Sequence, residues 1–171
     1  PGGPHSIGQL IAPAFAWSEG WASFFSVSTF SRWMNASQPI FWDIQKGSAF
    51  WSDYSQATYS HGVSIGAPNP ASGPTQELDE NWVAVMLWHL WEGKEVPEPE
   101  GDNDGVALGT SVVLNAVTSP RLLKIDAAAK GTDFVDFLDA LLCPQPQWNV
   151  PLTKMVNEYL GFPYAGSPVC P

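Results

Sequence analysis

The chain has 171 residues, 44% of them hydrophobic, with 17 Asp and Glu against 7 Lys and Arg, for a formal net charge of -10. That length suits one domain with a sizeable core. So few cations cannot assemble a basic patch, which argues against a nucleic-acid or anionic-membrane surface, and no apolar run reaches the length of a membrane span.

Residues 1–13 hold Gly2, Gly3, Pro4, Gly8 and Pro13 and read as a loop that carries His5. Ala14 to about Met34 reads as one helix of small and aromatic residues, with a single carboxylate, Glu19, in its first half. At helical spacing Glu19 shares a face with Ala22, Ser23 and Ser26. Trp17, Trp21, Phe24 and Phe25 lie opposite as a face for the core, and Phe30, Trp33 and Met34 continue that stripe. A carboxylate among aromatics is costly unless a cation, a metal or strong donors meet it. Pairing with Lys or Arg is as good a reading of Glu19 as metal ligation.

Asn35-Ala36-Ser37 breaks the helix and is a glycosylation triplet of the kind that chance often produces. Ile40–Ile44 and Ala49–Tyr54 flank Lys46-Gly47 and read as a short hairpin. From Ser60 to Pro74, Gly, Pro, Ser and Asn predict a long loop, with Tyr59 and His61 at its start. Glu77 to Gly93 is the second strong helix, capped by Thr75 or Asp79 and apolar all round from Trp82 to Trp91 except at His89, the pattern of a central core helix. A histidine in that setting is more often a hydrogen-bonded core residue than a ligand.

Lys94 to Gly105 is a polar, acidic, Pro-rich loop. Glu100, Asp102 and Asp104 imitate the first half of a calcium loop, but Ser111 stands where the bidentate carboxylate belongs. A solvated acidic loop is the simpler reading, with calcium near Asp102 and Asp104 left open. Val106–Thr118 reads as a helix or a buried apolar segment, stopped at Ser119-Pro120, and Leu122–Lys130 as a further short helix. Thr132 or Asp133 then caps a helix whose Phe134, Phe137, Leu138, Leu141 and Leu142 follow the amphipathic spacing. Pro151 opens the last helix, and Gly161 stops it. Cys143 and Cys170 can close one loop in an extracellular protein or remain free thiols in a cytosolic one. The low Lys content and the Pro-rich tail favour export.

Trp17-Ser18-Glu19-Gly20-Trp21-Ala22 resembles the (W/F)-x-E-G-(F/W)-A segment of gluzincin zinc metallopeptidases. Within that class, Gly2-Gly3-Pro4-His5-Ser6 followed by Ala14–Ala22 is similar to a group of secreted bacterial metallopeptidase-like proteins with H-E-x-G-H, a G-G-P-H-S loop and A-F-x-E-G in that order. Weaker similarity runs through Glu80–Glu92 and Leu108–Pro120. The resemblance implies that Glu19 is the third zinc ligand, that His5 contacts substrate or oxyanion unless it is a turn residue bonded to backbone, and that Tyr59 or His61 stabilises the oxyanion.

The sequence also departs from that pattern. It contains no H-x-x-x-H, and its histidines are His5, His61 and His89, the last at a position often acidic in the related group. The zinc helix would precede residue 1. The start at Pro1 reads as the later part of a longer polypeptide.

These residues together predict a mainly α fold, one domain over 1–171, with a small β-hairpin after the first helix. The resemblance implies the C-terminal portion of a catalytic domain, the helical lobe of a thermolysin-like peptidase. The expected function is zinc-dependent hydrolysis of a peptide or protein substrate, with the other zinc ligands on a companion chain or a missing segment. The alternative is a non-catalytic structural, self-assembling or binding subunit derived from that fold. A sugar-binding module built on Trp and Tyr ranks last.

Overall fold

The computed structural model describes residues 5, 9–34, 40–45, 48–54, 78–94, 96, 104–125, 131–159 and 164–171, and within them the chain is mainly helical. The helices are α1 (Pro13–Met34), α2 (Glu80–Trp91), α3 (Gly109–Val117), α4 (Phe134–Leu142) and α5 (Asn149–Lys154), which runs on into a wider turn over Met155–Tyr159. Between α1 and α2 the backbone of Ile40–Gln45 pairs antiparallel with Ser48–Asp53, Ile40 opposite Asp53 and Gln45 opposite Ser48.

α2 is the centre. Every residue from Asn81 to Trp91 is buried, as an all-apolar helix requires. Asp79 caps it by accepting the Asn81 N–H at 2.9 Å. A two-way backbone bridge between Ile11 and Leu78, at 2.9 and 2.8 Å, ties the segment before α1 to the segment before α2. α1 and α4 close an aromatic core over α2. Trp17 stacks on Phe137 with centroids 5.1 Å apart, Trp82 meets Phe134 edge-on at 6.2 Å, and Phe24 meets Trp91 edge-on at 6.1 Å. Asp133 caps α4 in a reciprocal box with Asp136.

α1 buries only part of the face its bulk suggests. Small residues, Ala16, Gly20, Ser28 and Ser31, are buried along with Trp17, Phe24 and Val27. Phe25, Phe30, Trp33 and Met34 are exposed. Close approach to α2 selects the small side, so part of the aromatic stripe faces outward. The stretch after α3 also differs from the expected short helix. Leu122–Lys124 forms turns, with Lys124 and Ile125 both donating to the Arg121 carbonyl, and 126–130 lies outside the described residues.

Candidate functional site

Two groups of ligand-type side chains mark the two ends of α2, roughly 18 Å apart for a helix of 12 residues. The first group gathers at its N-terminus. Glu19 is half-buried on α1 and followed by buried Gly20. A Cβ on Gly20 would sit 2.7 Å from Val83 Cβ and press on the Glu80 carbonyl, so only glycine lets α1 come this near to the first turn of α2. That approach brings the Glu19 and Glu80 carboxylates within electrostatic reach of each other. His5 Nε2 bonds Glu80 Oε2, and the His5 ring meets Phe15 edge-on at 5.0 Å. Burial pushes the Glu80 carboxyl above its ordinary value of 4.5; the His5 hydrogen bond and charge oppose that shift, while Asp79 and Glu19 reinforce it. No Lys or Arg pairs with Glu19 among the described residues.

The second group lies at the C-terminus of α2. His89 Nδ1 is 2.9 Å from Glu92 Oε1 and 3.4 Å from Asp104 Oδ2. All three residues are buried, and one ligand atom from each lies within 4.8 Å of the others. The remaining carboxylate oxygens are held from behind. Trp88 Nε1 donates to Glu92 Oε2, and the Val106 N–H donates to Asp104 Oδ1 at 2.7 Å. Gly93, at φ 72°, turns the chain out of α2, and the Leu108 N–H returns to the Leu90 carbonyl at 2.9 Å. These backbone contacts fix Asp104 against the helix end.

A groove of about 450 Å³ runs along the outer part of α1, between Trp21, Phe25 and Trp33 on that helix and Trp91, Thr110 and Val113 across from it. Trp33 is 80% exposed and Phe30 59%.

Of the residues singled out in the sequence, His5 and Glu19 stand at one end of α2, while Tyr59, His61 and Asp102 lie outside the described residues. Asp104 faces inward to His89 rather than into an acidic surface loop. Cys143 and Cys170 are disulfide-bonded, which ties the tail to the end of α4. Beside that bond Asp139 accepts from Tyr164 Oη at 2.7 Å and from the Val169 N–H at 3.0 Å. Burial raises both the Asp139 carboxyl and the Tyr164 hydroxyl above their ordinary values, and the Asp139 carboxylate raises Tyr164 further. Sequence reasoning missed Glu80 and Glu92. Glu92 was detectable as a carboxylate three residues after His89, a spacing that places two helical side chains together. No protein-family model, curated protein or solved structure matches the chain.

Proposed function

We propose that the chain is part of a zinc-dependent peptidase of the gluzincin kind, with the architecture of a thermolysin-like helical lobe. Glu19 contributes one metal ligand in this reading, and the two histidine ligands come from polypeptide outside these 171 residues. One observation carries it. The glutamate of the Trp17–Ala22 motif is half-exposed, without a Lys or Arg partner among the described residues, beside a His5–Glu80 pair. A carboxylate so placed suits a cation, whereas a structural ion pair would already hold its Lys or Arg. Bound there, zinc supplies Lewis-acid activation of water and of the scissile carbonyl.

The chain's own residues orient and support. Glu80 holds the His5 ring, the candidate for contact with a substrate carbonyl in this reading. Trp17 and Phe24, on the same helix as Glu19, pack into the aromatic core beneath it. Tyr59 and His61 remain the candidates for the oxyanion contact. The test is metal content and peptide hydrolysis of the native assembly, with mass spectrometry of every polypeptide in it. Glu19→Gln should cost one zinc per assembly and the chelator-sensitive hydrolysis while the far-UV spectrum is kept. Unchanged zinc and activity in Glu19→Gln would remove the assignment.

A second reading, a non-catalytic self-associating subunit, draws on the outward aromatic face of α1, where Phe25, Phe30, Trp33 and Met34 are 50%, 59%, 80% and 54% exposed. Its occupant would be a second copy of the chain. Sedimentation of wild type against Trp33→Glu decides it: a dimer lost in the variant supports it, and a wild-type monomer ends it.

A further inference from the structure

We propose that His89, Glu92 and Asp104 form a buried site for one divalent metal ion of the zinc class, which clamps the end of α2 to the segment entering α3. This site is separate from Glu19 and does not depend on the peptidase reading.

Three lines of argument lead there. The first is spacing. Donors sharing one ion at about 2.0–2.2 Å lie about 2.8–3.6 Å apart for bond angles between 90° and the tetrahedral value. The separations from His89 Nδ1 are 2.9 Å to Glu92 and 3.4 Å to Asp104. The second is the outer shell. Each carboxylate has one oxygen held by a protein donor, Trp88 Nε1 or the Val106 N–H, and turns the other inward. Outer partners of this kind orient metal ligands, and their donation favours the ionised carboxylate that a metal needs. Asp104 Oδ2 is buried, accepts no hydrogen bond, and points into the group.

The third is charge. Within the trio itself, two carboxylates and an imidazolium sum to one negative charge, in a site where His89 is 4% exposed and Glu92 0%. Burying net charge is costly. Two carboxylates, a neutral imidazole and a divalent cation sum to zero.

The donor set also selects the ion. With one oxygen of each carboxylate already engaged, the described residues offer one nitrogen and two oxygens. Calcium seeks six to eight oxygens, whereas imidazole with carboxylate suits zinc and its neighbours. Because the ligands are buried, the role is structural. The clamp sets the position of α3, whose Thr110 accepts from Trp91 Nε1 at 2.9 Å.

The test uses the full chain stripped with EDTA, retitrated with zinc chloride, and read by bound metal and by melting temperature. We expect one zinc per chain taken up by wild type and by Glu19→Gln alike, with a rise in melting temperature that EDTA reverses. Asp104→Asn and His89→Gln should each weaken uptake at least tenfold. Should those variants fail to fold, cobalt(II) added to wild type decides instead: paramagnetic broadening should be strongest at the amides of His89, Leu90 and Glu92. The proposal is overturned by stoichiometric zinc uptake absent from wild type, by folded variants that bind like wild type, or by cobalt broadening centred elsewhere. Since Glu19→Gln separates the two sites, failure here leaves the Glu19 reading standing, and the reverse also holds.

Discussion

Replacing Gly20 with alanine tests the contact on which the first site depends. In a free helix the change is favourable by about 1 kcal/mol, because alanine loses less backbone entropy than glycine. Here the added methyl would lie 2.7 Å from Val83 Cβ and 2.9 Å from Val83 Cγ1, and against the Glu80 carbonyl. Val83 is fully buried and the carbonyl belongs to the first turn of α2, so neither can swing aside cheaply. Overpacking of this kind costs about 1–3 kcal/mol, and more where backbone must move. We take the upper end and subtract the helix gain, which leaves a net loss of about 2 kcal/mol, or a fall of about 4–8 °C in melting temperature for a chain of this size. Calorimetry and urea unfolding measure both. Ala22→Gly, on the exposed side of the same helix, provides the propensity reference and should cost about 1 kcal/mol. Val83→Ala should make Gly20→Ala less costly, giving a favourable coupling in a double-mutant cycle. A higher melting temperature for Gly20→Ala would refute the close approach of α1 to α2, and with it the proximity of Glu19 to Glu80.

Reducing the Cys143–Cys170 bond releases a loop with a sequence separation of 27, for which chain entropy predicts a loss of about 3.5 kcal/mol; urea unfolding with and without reductant should show it. Tyr164→Phe removes the hydroxyl 2.7 Å from buried Asp139 and should cost about 1–3 kcal/mol by the same assay. The Glu80 and Asp139 carboxyls are both raised in the folded state, above 4.5 and 3.8. The folded state therefore holds their protons more tightly than the unfolded chain. Their contribution is complete below the unfolded values and is lost as pH rises through the folded ones. Melting temperature should accordingly lose a component on going from about pH 4 to neutrality, and Glu80→Gln should flatten that part of the profile; an unchanged slope would contradict the burial of Glu80.

Most of the helical skeleton was legible because its signals are local. Asp79 and Asp133 cap where acidic residues precede apolar runs, and the all-apolar stretch from Trp82 to Trp91 is the central helix. The orientation of α1 was not legible, because it depends on a partner. Aromatic bulk suggested one core face, yet Gly20 is buried against α2 and Ala16 is buried too, while Trp33 and Phe30 face solvent. A helix with apolar residues on several sides leaves the choice to whichever side packs closest, and a glycine decides that by what it lacks.

The two sites differ in the same way. Glu19 was singled out through its neighbours in sequence, a short motif that asks for a carboxylate between aromatics. Glu80, which shares its surroundings, carries no motif and comes near only through the Gly20 contact. The buried group is more distributed still. His89 looked like a satisfied core histidine, and Asp104 like one acid in a solvated loop. Each reading is sound for the residue alone. Neither shows that the two meet, which they do because Gly93 turns the chain and the Leu108–Leu90 bond draws Asp104 back over the helix end, placing two carboxylates on one imidazole in the core. A single buried acid can be neutralised by a histidine. A second acid on the same histidine exceeds what that histidine's one proton can compensate, and that is the charge argument for the cation site proposed here.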